Sequence, residues 1–320
     1  MTSTEQFAPP PVPRPVDAPQ PSDWKGAIGS LAIGVGGALV GLLPWIVTGM
    51  RLPLQNLWGR PTLPEDMPIA WLPFSQYQVT LLLALMVVGA AAAGLASRVL
   101  RSRLPRRSIL ATTAGLLFVQ VVATAQAANT LGSGLESGQA GALYLAACIG
   151  LAVVGMLFGL LVLGLIARGP RAGAVVAFTL AAIAAGWWLD GLIAPIGSAG
   201  ARPELASLLL DVARWVPPVL VGAAIAWGGV NTVGRIVAAV ASLLLLWIVP
   251  ALATAVTAAV GSRILLGDPL EMLDYGWGVF RMAVVMPELV LPPLVVAVVT
   301  AAAGLGVRAL LARRPGSTLE

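Results

Sequence analysis

Residues 79–107 read VTLLLALMVVGAAAAGLASRVLRSRLPRR. The first nineteen carry no charged side chain, and about 20 apolar residues are needed to cross a bilayer as a helix. The last ten hold Arg98, Arg101, Arg103, Arg106 and Arg107 with no acid among them. An uncharged run closed by an arginine-loaded turn reads as a transmembrane helix emerging on the cytoplasmic side, where Lys and Arg collect.

The rest of the chain repeats this pattern. Of 320 residues, 58% are hydrophobic and 10% charged. A soluble chain carries about 25% charged residues. The predicted fold class is all-α: a polytopic membrane helix bundle of about eight transmembrane helices with amphipathic outer-loop segments. The spans are predicted at about 27–47, 79–99, 109–128, 140–167, 172–189, 216–230, 236–260 and 289–310. Strand-type alternation is absent, which argues against a β-barrel. The sixth and eighth spans open on Pro217–Pro218 and Pro292–Pro293, which the first turn of a helix tolerates. Pro250 falls inside the seventh, where it is expected to kink the helix.

Outside the spans, residues 1–24 form a predicted disordered cytoplasmic tail. Its prolines, from Pro9 to Pro21, oppose helix and sheet pairing. Pro10 and Pro13 have the spacing of a PxxP ligand. The transmembrane domain is predicted over 25–311, and a short cytoplasmic tail over 312–320. The first apolar run reads as an uncleaved signal anchor, because a secretory signal has a short basic start leading straight into its apolar core.

Charge position sets the orientation. With the N-terminus in the cytoplasm, 13 basic residues and four acids fall inside, a balance of +9, and the outer side carries −4. Reversing the chain would put those 13 cations in the wrong compartment. Both termini are therefore expected in the cytoplasm of a bacterial inner membrane. The bacterial assignment rests on the arginine and alanine bias. The tryptophans Trp45, Trp58, Trp71, Trp187, Trp188, Trp215 and Trp277 fall at or beyond the outer boundary, as an interfacial belt would.

The composition also removes chemistry. There is no histidine and one cysteine, Cys148, so a Ser-His-Asp triad, a His-ligated zinc or haem, and an intrachain disulfide are excluded. No cofactor or metal site is expected. The central part of every predicted span lacks Asp, Glu, Lys and Arg, which weakens an ion-coupled mechanism. The charges are scattered between spans, so the basic balance does not point to nucleic acid. The cationic turn at 98–107 is expected to meet anionic lipid headgroups.

Five residues stand out as functional candidates. Gln120 and Thr124, four apart in the polar third span, share a helix face; they either bond a neighbouring helix or line a polar path. Asp190 closes the fifth span at its outer end. Glu65 and Asp66 lie in the first long outer loop and offer carboxylates for general-base chemistry on a lipid-linked donor. Small-residue pairs, Gly37 with Gly41, Gly89 with Ala93, Gly155 with Gly159 and Gly222 with Ala226, favour close helix packing. The outer segments 203–215 and 265–281 have helical apolar spacing and are expected to lie flat at the interface or to cover an outer site. Val216-Pro217-Pro218 and Leu291-Pro292-Pro293 lie 75 residues apart, each after such a segment, which hints at a duplicated unit.

Three functions fit these features. The first is an accessory or scaffold protein of the cell envelope with a membrane-protein partner. The second is a permease-like transporter of an apolar or lipidic substrate. The third is a glycosyltransferase using Glu65 and Asp66. All share one topology with a direct test: alkaline phosphatase fused after residue 134 is active, and fused after residue 104 is inactive. The reverse pattern overturns the orientation.

Overall fold

The computed structural model describes residues 24–103, 108–198, 203–262 and 268–312. The proline-rich tail up to residue 23, with its Pro10–Pro13 spacing, and residues 313–320 lie outside the described residues, as do Arg106 and Arg107. Among the described residues ten α-helices follow one another: α1 (Trp24–Val47), α2 (Val79–Val99), α3 (Ser108–Gly134), α4 (Gln139–Arg168), α5 (Arg171–Ser198), α6 (Pro203–Ala213), α7 (Val216–Gly228), α8 (Val233–Gly261), α9 (Pro269–Val285) and α10 (Pro287–Ala312). Among the described residues there is no strand, only isolated bridges between Arg51 and Ile69 and between Trp58 and Leu135. Eight stretches of the described residues are long and apolar enough to cross a membrane, with α6 and α7 together counting as one.

Successive passes alternate in direction. Gly37 of α1 faces Ala93 while Gly41 faces Leu85, so α1 and α2 are antiparallel. Gly186 of α5 meets Pro217 while Gly228 meets Val175, so α5 and α7 are antiparallel too. This weave sorts the charges. Every described carboxylate, from Glu65 to Glu288, belongs to one end of the bundle, here the acidic end. Lys25, Arg98, Arg101, Arg103, Arg168, Arg171, Arg235 and Arg308 belong to the other, the arginine end.

Small residues set the closest approaches. In hydrocarbon, lipid tails are as apolar as Leu, so helices associate through packing that larger side chains prevent. Gly37 and Gly41 meet Gly89 and Ala93, so two of the small-residue pairs are the two sides of one interface. A Cβ on Gly37 would lie 2.7 Å from the Ala93 Cβ and from the Gly89 carbonyl oxygen. The opposite face of α2 receives Gly155 and Gly159 of α4 against Met86 and Ala90. Gly222 of α7 meets Ala297, Thr300 and Ala301 of α10 in the same manner.

Residues 48–78 form a folded cap over the acidic end of α1–α4. Leu52, Met67, Leu72 and Phe74 are buried in it, each contributing about 1.5–3 kcal/mol relative to exposure. The Trp45 indole N–H donates to the Ala70 carbonyl at 2.7 Å. Gln126 of α3 grips the cap backbone: its Oε1 accepts from Trp71 N at 2.7 Å and its Nε2 donates to Ile69 O at 3.1 Å. Tyr144 of α4 donates to Gln55 Oε1 at 2.7 Å. Gly59 N donates to Gly134 O and Glu136 N to Leu57 O, at 2.9 and 2.8 Å.

Four sequence expectations change. Segments 203–213 and 269–285 are helices as their spacing requires, but each leans on the preceding pass, α6 on α5 and α9 on α8. Helix α9 runs antiparallel to α8, with Gly276 against Ala255 and Ala259, and Val284 O accepting from the Trp247 indole at 2.9 Å. The eighth pass starts at Pro287, so Pro292 and Pro293 lie inside α10 rather than in its first turn. Helix α3 continues to Gly134 because the cap bonds its end, and α5 continues to Ser198, which puts Asp190 within the helix. Trp45 and Trp188 act as clasps rather than as a free belt: Trp188 Nε1 donates to Gly41 O at 2.8 Å.

The α1–α2 interface has a matched control. Gly41→Leu must push α1 off α2 and is expected to cost about 1–3 kcal/mol. Gly36→Leu, where an added Cβ meets nothing within 4 Å, should leave stability unchanged. Thermal unfolding of the purified protein in mild detergent distinguishes the two.

Candidate functional site

At the acidic end, a cavity of about 300 Å³ opens between α5, α7, α8, α9 and α10. Trp187 and Asp190 of α5 form one wall, and Leu246, Trp247 and Pro250 of α8 another. Arg214 enters from the break between α6 and α7. Ala283 of α9 and Leu289 and Pro293 of α10 complete the lining. Four prolines, Pro217, Pro218, Pro250 and Pro293, line this one space.

The prolines explain why a cavity forms here. A proline inside a helix removes the N–H that would bond the carbonyl four residues earlier, and its ring crowds that turn. Pro250 takes the partner from the Leu246 carbonyl and Pro293 from the Leu289 carbonyl. Both Leu246 and Leu289 line the cavity. Pro217 and Pro218 stop the pass that descends through α6 from continuing as one rod, and α7 starts afresh after Arg214 and Trp215. Interrupted helices at membrane depth are tolerated where they border a cavity, and paired interruptions in corresponding segments point to binding sites in membrane carriers.

The cavity is chiefly apolar with a charged margin. Asp190 takes part in no ion pair among the described residues. Arg214 approaches Asp211 at 3.7 Å on the exposed side and its guanidinium lies 5.0 Å from the Trp215 ring centre. An exposed pair of this kind contributes little to stability. The two side chains thus offer one carboxylate and one guanidinium beside Trp187 and Trp247, a setting that suits an amphiphile with an apolar body and a polar end.

The other sequence candidates lie elsewhere. Gln120 is 2% exposed in the α1–α4 half, and its Nε2 donates to the Met86 carbonyl of α2 at 3.2 Å. Its Oε1 is buried without a partner. Thr124 Oγ1 donates to the Gln120 carbonyl within α3 at 2.7 Å. This pair bonds helices and borders none of the three cavities described among these helices. Glu65 and Asp66 sit in an exposed 3-10 turn of the cap and line none of these three cavities. Among the described residues no three acidic or thiol side chains gather into a group that could hold a metal ion. Arg214 and Trp247 were not singled out by sequence reasoning. The available signal was proline placement, since the cavity prolines all fall after residue 216.

No protein-family model, curated protein or solved structure matches the chain.

The role of Gln120 has a two-sided test. Gln120→Leu loses one hydrogen bond but also removes a buried, unpaired oxygen. Stability is expected to change by no more than about 1 kcal/mol, with ligand retention in the α5–α10 cavity unaltered. Lost retention with an intact fold would instead give Gln120 a functional role.

Proposed function

We propose that this chain is a permease-like multi-pass membrane protein that takes an apolar or lipidic molecule into the α5–α10 cavity. The observation that carries the reading is the meeting of helix breaks in both α5–α6–α7 and α8–α9–α10 at one apolar space with a charged margin. Each unit has the same order: a long ascending helix, an amphipathic segment leaning back on it, and a return helix. The return helices α7 and α10 pack side by side through Gly222 and Gly304. A duplicated, interrupted pair is the architecture expected of a carrier whose two repeats move around a site.

The positive-inside rule supports placing the arginine end in the cytoplasm and the cavity in the outer leaflet of a bacterial inner membrane. The apolar lining favours a substrate that arrives from the bilayer. Asp190 and Arg214 would meet its polar end. Neither an ion-coupled mechanism nor a catalytic step is part of this reading. A pure scaffold role needs no such cavity and therefore ranks second.

Native mass spectrometry of the detergent-purified protein tests the proposal. The wild type is expected to retain a lipid-sized adduct. Ala283→Trp, which fills the cavity from α9, should abolish the adduct. Asp190→Asn combined with Arg214→Gln should weaken it about tenfold, the equivalent of about 1.4 kcal/mol of polar contact. Equal retention by all three proteins, or a stoichiometric partner protein in place of lipid, would return the assignment to a scaffold.

A further inference from the structure

We propose that the arginine end holds a second, separate site, for one anionic phospholipid. Its phosphate would sit on the arginines gathered around the last turn of α7, and an acyl chain would fill the groove between α2, α5 and α7. The groove has a volume of about 710 Å³ and is walled by Ala91, Leu95, Phe178, Ala185, Ala223 and Trp227. Among the described residues, Arg98 is the one charged side chain that lines it. An acyl chain fits the wall, and a cation waits at the end nearest the membrane surface.

Three arginines from three helices reach the last turn of α7 or the residue that follows it. Arg98 of α2 donates through Nη1 to the Ile166 carbonyl at 2.6 Å, and its guanidinium lies 4.9 Å from the Trp227 ring centre. Phe178 holds that ring edge-on, with centres 5.6 Å apart. Arg308 of α10 donates through Nη1 to the carbonyls of Trp227, at 2.9 Å, and Ala226. Arg235 of α8 also reaches this turn: its Nη1 and that of Arg308 lie 3.9 and 3.5 Å from where a Cβ on Gly229 would be.

Structural roles account for only part of this charge. Arg308 caps the C-terminus of α7, but a helix C-terminus carries about half a negative charge. Arg98 likewise bonds the last turn of α4, so three full positive charges stand against two such helix ends, and the described carboxylates all belong to the acidic end. Each guanidinium has five N–H donors, of which Arg98 uses one. A phosphate accepts from such forks in bidentate fashion and is the usual partner of clustered arginines. Basic pockets between helices on the cytoplasmic side are established lipid-headgroup sites. The adjoining apolar groove selects a phosphate attached to an acyl chain over a free one. The site lies at the opposite end from the α5–α10 cavity and does not depend on what that cavity binds.

The test uses the full-length protein in nonionic detergent, titrated with phosphatidylglycerol, phosphatidylcholine or inorganic phosphate and read by native mass spectrometry and thermal shift. Phosphatidylglycerol should bind at least about tenfold more tightly than phosphatidylcholine, since one charge-assisted contact supplies that factor. Inorganic phosphate should neither stabilise the protein nor compete. Arg235→Gln, which removes a guanidinium without disturbing the α7 cap, should weaken phosphatidylglycerol about tenfold, and Arg235→Lys should recover part of the loss. Ala223→Phe, on the exposed groove wall, should weaken it similarly with an unchanged melting temperature in the absence of lipid. Arg60→Gln, at the acidic end, should have no effect. Equal binding of the two lipids, equal losses in Arg60→Gln and Arg235→Gln, or stabilisation by inorganic phosphate alone would overturn the proposal.

Discussion

A backbone N–H or C=O inside hydrocarbon finds no water, so each must be bonded within the chain. That constraint makes this molecule helical, and it gives every proline inside a pass a structural consequence. In α1–α4 it is met by helices whose one internal proline, Pro44, lies in the last turn of α1, closed at the acidic end by a cap whose backbone is bonded in turn by Trp45, Gln126 and the α3–α4 corner. In α5–α10 the prolines at 217, 218, 250 and 293 break the regular ladder around one space, and the cavity follows from those breaks.

The two halves therefore differ in how they use small residues. Helix α2 is gripped on both faces, by Gly37 and Gly41 from α1 and by Gly155 and Gly159 from α4. Its apolar stretch is 67% buried, against 11% for α10. One half is capped and closely packed, and the other surrounds a cavity where its helices are broken by proline. Buried Gln120 belongs to the capped half, where its bond to Met86 O ties α3 to α2. Asp190 belongs to the other half, because α5 continues past it and carries it against the α6–α7 break.

Charge follows the same constraint. A side chain that cannot be neutralised is expelled to the ends of the bundle, and the alternation of passes separates the signs. At the acidic end this leaves Asp190 and Arg214 on the margin of an apolar cavity. At the arginine end it leaves Arg98, Arg235 and Arg308 around one helix terminus beside an apolar groove. Each end thus brings polar and apolar surface together, mixed in charge at the cavity margin and cationic beside the groove.

The number of apolar spans, the approximate limits of the passes and the segregation of arginine were legible in the chain, because transfer of a residue to hydrocarbon depends mainly on that residue and its near neighbours. The pairing of Gly37 and Gly41 with Gly89 and Ala93 was not, since small residues are too frequent for any one pair to name its partner. Nor was the meeting of Pro217, Pro250 and Pro293, which come from three different helices. The lean of α6 and α9 onto α5 and α8, and the convergence of Arg98, Arg235 and Arg308 on Trp227 and Gly229, likewise depend on which helix packs beside which. Local composition settles whether a segment enters the membrane. Helix neighbours are chosen by shape complementarity between distant stretches, and both proposed sites exist only where those neighbours meet.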